Sequence, residues 1–118
     1  MPGATYFDFQ PGQAEAMVRG MASAVGGGTG LTSTRAAVLD AVARNIFGID
    51  VALDQLEPMG PSELAQALDP LLARGAVRGM VTLEIVDEVT PEIATRVEAY
   101  ARALGVDEGM LTVARDYS

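Results

Sequence analysis

The chain has 118 residues, of which 49% are hydrophobic and 20% are charged, so it suits a single globular domain with one core. Its formal net charge of −8 disfavours binding to nucleic acids and docking on anionic membranes, because both depend on clustered Lys and Arg. Cys, His, Lys and Trp are all absent. This composition excludes Cys and His nucleophiles, Lys Schiff bases and zinc sites built from thiolate or imidazole, and we expect a protein that is not an enzyme.

The first residues carry three aromatic side chains, at Tyr6, Phe7 and Phe9, without helical or strand periodicity. We interpret residues 1–12 as an N-terminal arm and residues 13–118 as one helical domain, either complete or a module of a longer protein. The start of the chain lacks the basic and apolar regions of a signal peptide. No uncharged apolar run approaches the roughly 18 residues of a membrane span. We therefore expect a cytoplasmic protein without direct membrane insertion.

Apolar residues three or four apart predict a first helix over residues 13–25, which continues through Gly20. The glycine-rich run 26–30, G-G-G-T-G, comes next. We interpret this run as a linker, because phosphate-binding loops follow a strand and the P-loop form also needs a Lys.

A second helix is predicted to begin at a cap formed by Thr32 or Ser33 and to end at Gly48, which can take the left-handed conformation. We expect its inner face to consist of Val38, Leu39, Val42, Ile46 and Phe47. Residues 49–60 are then predicted to hold a short helical turn. Pro61 follows, and Ser62 is predicted to cap a short helix over residues 63–68.

The longest helix is predicted to begin at Pro70, capped by Asp69, and to end near Val86. Its apolar residues lie on nearly all sides, so we expect helix 70–86 to be central and mostly buried, with Arg74 and Arg78 exposed. The apolar residues of this helix are Leu71, Leu72, Ala76, Val77, Met80, Val81, Leu83, Ile85 and Val86. Gly75 and Gly79, four residues apart, indicate that another helix crosses closely here.

The stretch 87–107, D-E-V-T-P-E-I-A-T-R-V-E-A-Y-A-R-A-L-G-V-D, contains a complete helix. Thr90 is a good cap, Pro91 suits the first helical position, and Gly105 can end the helix. Its expected buried stripe is Ile93, Val97, Tyr100, Ala101 and Leu104. Surface ion pairs are predicted between Glu92 and Arg96 and between Glu98 and Arg102. Asp107 is predicted to cap a last short helix.

The acids of the turn before this helix are the main candidate site. Carboxylates bind hard cations such as Ca²⁺ or Mg²⁺, so Asp87, Glu88 and Glu92 are candidate metal ligands. A second candidate group is Asp50, Asp54 and Glu57. The window from Asp87 does not match an EF-hand, because Glu92 stands where glycine is needed. The alternative interpretation is an ordinary solvated surface, which charge runs usually form.

The order of parts in residues 69–116 resembles the TerB-like family of helical proteins associated with tellurite resistance. An apolar helix leads into the acidic turn D-E-V-T-P-E, followed by V-E-A-Y-A-R-A-L-G-V-D and a short closing helix. The turn lacks the glycine that usually follows Asp87 in that family, and Ile93 stands where its second acid is expected. The resemblance implies an all-helical domain without catalytic activity, an acidic metal-binding surface and a role in stress response through protein partners.

These observations predict an all-α fold, a compact bundle of about five to seven helices packed around helix 70–86. We expect a non-catalytic interaction module, with a protein partner or a second copy as its ligand and with no cofactor. Two alternatives stay open. One is a divalent-metal sensor that uses Asp87, Glu88 and Glu92 with Ca²⁺ or Mg²⁺, and the other is an assembly domain of an enzyme whose catalytic residues lie elsewhere.

Overall fold

A computed structural model describes residues 11–26, 31–50 and 52–106, and the regular structure within these ranges is entirely helical. The predicted all-α bundle is confirmed. In chain order its elements are α1 (Pro11–Gly26), α2 (Ser33–Val42), a π-helical turn (Ala43–Phe47), a 3₁₀ turn (Leu53–Gln55), α3 (Pro61–Ala67), α4 (Pro70–Ile85) and α5 (Pro91–Ala103). Most of the expected arm, the linker after Gly26 and the last predicted helix lie outside the described residues.

Three helices begin at the caps that the sequence predicts. The side chains of Thr32, Asp69 and Thr90 accept hydrogen bonds from the backbone N–H three residues further on, at 3.2, 2.9 and 3.2 Å. Each bond satisfies one of the first-turn N–H groups that have no partner inside the helix. At the opposite ends, Gly48 and Gly105 have φ of 70° and 73°, the left-handed conformation expected of them.

The start of α3 differs from the prediction, because Gly60 rather than Ser62 is its cap residue. Pro61 is the first helical residue, and Glu63 accepts a hydrogen bond from the backbone N–H of Gly60 through Oε1 at 3.3 Å. Pro61 has the fixed φ that a first helical residue needs, so the helix begins before the serine. The helical turn expected within residues 49–60 is the short 3₁₀ turn.

Helix α4 is largely buried, as the sequence predicts, but α1 shares the centre of the bundle. α1 packs against α3, α4, α5 and the π-helical turn. One expectation for α4 is wrong in detail, because Leu71 is 72% exposed. Glu84, despite its charge, is only 3% exposed. The buried residues of α4 are Ala73, Ala76, Val77, Met80, Val81, Leu83 and Glu84.

Glycines allow the closest approaches between helices. A Cβ atom at Gly79 would overlap Sδ of Met21 on α1, so α1 is the helix whose crossing the glycines of α4 indicated. Gly75 is less restricted, because its nearest neighbour would be Cε of Met17 at 3.6 Å. On the other side of α1, Gly20 lies directly beneath Leu64 of α3. Gly20, which interrupts the apolar pattern of the first helix, is therefore the point at which α3 packs against α1.

Substitution at these glycines should have opposite effects on stability. Gly20→Ala places a methyl group against the fully buried Leu64, and we expect the free energy of unfolding to fall by roughly 1–3 kcal/mol, as overpacking does. Gly75→Ala is the matched control, because its methyl group has room and Ala favours a helix by up to about 1 kcal/mol over Gly. Urea denaturation of both variants tests the packing, and equal effects would contradict it.

Candidate functional site

A buried arginine joins the start of α2 to the end of α4. Arg35 is 3% exposed, and its Nε donates a hydrogen bond to the carbonyl oxygen of Leu83 at 2.7 Å. Its Nη2 donates to the carbonyl oxygens of Glu84 and Glu88, both at 2.8 Å. The last carbonyls of a helix have no partner inside it and carry the negative end of the helix dipole. The guanidinium therefore both satisfies and neutralises the end of α4.

The hydrogen bond from Arg35 to the carbonyl oxygen of Glu88 also holds the acidic turn after α4 against the start of α2. The carboxylate of Asp87 accepts hydrogen bonds from the Thr32 side chain and from the backbone N–H of Glu88, the latter at 2.8 Å. These two bonds, with the nearby charge of Arg35, lower the pKa of Asp87 below its ordinary value of 3.8. Thr32 thus caps α2 and also stabilises the charged form of Asp87.

The predicted metal ligands are near one another in the chain but do not form a cage. Glu88 and Glu92 are exposed, and Asp87 is occupied by the hydrogen bonds just described. Within the described ranges, no three acidic residues are grouped so that they could hold a metal ion. In the second candidate group, Oδ1 of Asp50 lies 3.4 Å from Nη2 of Arg44. The side chain of Asp54 is not among the described parts of the structure. Metal binding at either position stays a prediction.

Two further hydrogen bonds, both at Met59, join α5 and α1 to the irregular segment before α3. The hydroxyl of Tyr100 donates a hydrogen bond to the carbonyl oxygen of Met59, and the backbone N–H of Met59 donates to Oγ of Ser23 at 3.0 Å. Burial raises the pKa of Tyr100. A cavity of about 590 Å³ lies beside these hydrogen bonds, between α1 and the segment 53–60.

A second concavity, more apolar than the first, is a groove between α2 with its π-helical turn on one side and α4 on the other. Its volume is about 580 Å³, and Met17 and Met21 of α1 form its floor. We call it the α2–α4 groove. Its walls are Val38, Leu39, Val42, Ile46, Phe47, Leu71, Leu72, Arg74, Gly75, Arg78, Gly79, Thr82 and Leu83. Arg35 holds the start of α2 at the end of α4, beside Leu83, which also lines the groove.

Two exposed hydrophobic side chains lie on this groove. Ile46, expected on the inner face of its helix, is 47% exposed, and Leu71 is 72% exposed. They stand on opposite walls. The third large exposed hydrophobic residue of the described ranges, Val89, is elsewhere, in the turn before α5. Exposed apolar side chains gathered around one concavity are typical of a binding surface.

The only charged residues that line the groove are arginines. Arg74 and Arg78 lie one helical turn apart on α4 and are exposed, and none of the lining residues is acidic. Neither side chain makes a hydrogen bond or ion pair within the described parts of the chain. The groove is therefore a cationic apolar surface on an otherwise acidic protein.

Other arginines are used differently. Arg96, predicted to pair with Glu92, donates instead from Nε to the carbonyl oxygen of Ala24 on α1 at 3.0 Å. Arg19 donates to the carbonyl oxygens of Glu57 and Pro58 at 3.1 and 3.3 Å.

Comparison with protein-family models, curated proteins and solved structures finds no match to this chain. The resemblance to the TerB-like family stays a prediction. No helix within the described residues is long and apolar enough to cross a membrane.

The role of Arg35 is the feature of the site that sequence reasoning missed. A signal for it exists, because Arg35 precedes Leu39 and Val42 by four and seven residues and so lies on their apolar face. An arginine on such a stripe indicates a buried guanidinium with polar partners. Its partners at the far end of α4 are not evident from local spacing, since they lie 48 or more residues away.

Replacing Arg35 should be costly to stability. Arg35→Met keeps much of the apolar length of the side chain but leaves carbonyls of α4 without partners, each at a cost of about 1–3 kcal/mol when buried. We expect the free energy of unfolding to fall by roughly 2–5 kcal/mol. In Arg44→Met, the control, the lost ion pairs are exposed and contribute at most about 1 kcal/mol. Urea denaturation that found equal losses would contradict the anchoring role of Arg35.

The contact between Thr32 and Asp87 predicts a titration. A carboxyl whose folded pKa is lowered stabilises the fold above its unfolded pKa, and this contribution is lost as the pH falls through the folded value. Asp87 should titrate below 3.8, measured by NMR of its carboxyl carbon. In Thr32→Val the pKa should rise, whereas in Thr32→Ser, which keeps the hydroxyl, it should stay low. An unchanged pKa in Thr32→Val would contradict the contact.

Proposed function

We propose that this protein is a non-catalytic interaction module whose binding surface is the α2–α4 groove, and that its ligand is an apolar helical segment of a partner protein. The observation that carries the proposal is the groove itself, an apolar concavity with a floor of Met17 and Met21 and with exposed Ile46 and Leu71 on its walls. Helices bind in apolar grooves through side chains spaced three or four residues apart.

The walls of the groove suit such a ligand. Ile46 and Leu71 are 47% and 72% exposed on opposite walls, so their apolar side chains are accessible, whereas Met17 and Met21 beneath them are buried. The lack of Cys, His and Lys in the chain supports a role without catalysis. The TerB-like resemblance supports the same class of role, a stress-response protein that works through protein partners.

The proposal is tested with displayed peptides. A library of about 14 residues with strong helix formers in the background and variable residues at positions i, i+3, i+4 and i+7 would be selected against the whole protein. We expect enriched peptides to carry Leu, Ile, Met or Phe at these four positions. The enriched peptides should compete with one another for a single site.

A groove variant and a matched control complete the test. Ile46→Glu/Leu71→Glu places charges on both walls at exposed positions, so it should keep the fold and lose the peptides. Val89→Glu introduces the same charge at an exposed apolar residue outside the groove and should bind as the wild type does. Circular dichroism checks the folding of both. If no apolar peptide is enriched, or if the groove variant binds equally well, the proposed function is wrong.

A further inference from the structure

We infer that the segment bound in the α2–α4 groove is an acidic amphipathic helix, with two Asp or Glu residues one turn apart that pair with Arg74 and Arg78. This inference rests on the proposed function and specifies the chemistry of the partner. It follows from the charges of the groove and from their position along its wall.

The two arginines are available to a ligand. The chain has eight arginines, and Arg115 lies outside the described ranges. Of the seven others, only Arg74 and Arg78 make no side-chain hydrogen bond or ion pair in the described structure. Arg19, Arg35 and Arg96 bind carbonyl oxygens, Arg44 pairs with Asp40 and Asp50, and Arg102 also has a partner. Guanidinium groups bind carboxylates through parallel hydrogen bonds, so acidic side chains are the complementary ligand.

The spacing of the arginines matches a helix. Four helical residues rise about 6 Å, so acids at positions i and i+4 of a helix that lies along α4 have the same separation as Arg74 and Arg78. The lining residues of α4 extend from Leu71 to Leu83, about 18 Å, which a bound helix of about 12 residues would span. One face of that helix would fill the groove and its edge would carry the acids.

The position of the arginines distinguishes this ligand from a fatty acid. A fatty acid has one carboxylate at one end, so its site would have its cations at one end of the groove. Here the arginines lie in the middle of the part of α4 that lines the groove, with Leu71 and Leu72 before them and Thr82 and Leu83 after them. Charges in the middle of an apolar wall suit a ligand whose own charges lie along its length.

The test is a displayed library of helical peptides with a fixed apolar stripe, in which the positions beside the stripe are Glu, Gln or Lys. Selection on the wild type should enrich Glu at two positions four apart. Selection on Arg74→Gln/Arg78→Gln should keep apolar peptides but lose the preference for Glu. Arg102→Gln, which neutralises a single arginine on α5 outside the groove, should keep that preference.

Affinities of one enriched peptide and its Glu→Gln form then measure the pairing. The wild type should bind the Glu form roughly two- to thirty-fold more tightly than the Gln form, the range expected for two exposed ion pairs. The double variant should show no such ratio. Because the ratio is compared between two proteins, intrinsic differences between the Glu and Gln peptides, such as their helicity, cancel.

The outcomes separate the two proposals. Apolar enrichment without a Glu preference would overturn this inference and leave the proposed function standing, whereas no enrichment at all would overturn both. Displacement of the bound peptide by palmitate, with no Glu preference, would point to a fatty acid and would also overturn the inference. Dimerisation of the wild type that Ile46→Glu/Leu71→Glu abolishes, without binding of acidic peptides, would make a second copy the occupant and overturn it as well.

Discussion

The guanidinium of Arg35 is the contact on which the arrangement of α2, α4 and the acidic turn depends. Burying a charge is costly unless it is fully hydrogen-bonded, and Arg35 meets three carbonyl oxygens within 2.8 Å. Two of these belong to the last turn of α4, where the helix dipole adds a favourable term. One side chain thereby fixes where α2 begins relative to where α4 ends, and it orders the turn that leads to α5.

The groove follows from this anchor. Arg35 holds the first turn of α2 to the last turn of α4, and the groove lies between the remaining lengths of the two helices. The floor between them comes from α1, whose Met17 and Met21 pack against Gly75 and Gly79. Small residues on α4 let α1 approach closely. A polar anchor at one end and an apolar gap along the rest are thus parts of one arrangement.

Local signals in the sequence predicted the helices well, and distant contacts explain most of what it did not predict. Thr32, Asp69 and Thr90 act through residues three positions away, so their caps were evident from spacing. Glu84 is buried although it carries a charge, and the start of α2 with Arg35 packs against this end of α4. Ile46 fits the stripe of an α-helix, but the π-helical turn that contains it changes the angle between successive residues and leaves it half exposed. The acids of the turn form a cluster in the sequence and could be recognised there. The groove could not, because its walls and floor come from three separate helices.

The use of arginine explains both the composition of the chain and the exception on α4. Arg19, Arg35 and Arg96 each reach across to carbonyl oxygens of another element, and for Arg35 and Arg96 these include the last turns of α4 and α1. A planar guanidinium can donate several hydrogen bonds in fixed directions, which a Lys ammonium does less well, so a bundle held in this way favours arginine. Arg74 and Arg78 take no part in these cross-links within the described residues, and both lie exposed on α4. Their exposed position along an apolar groove is the basis of the partner proposed above.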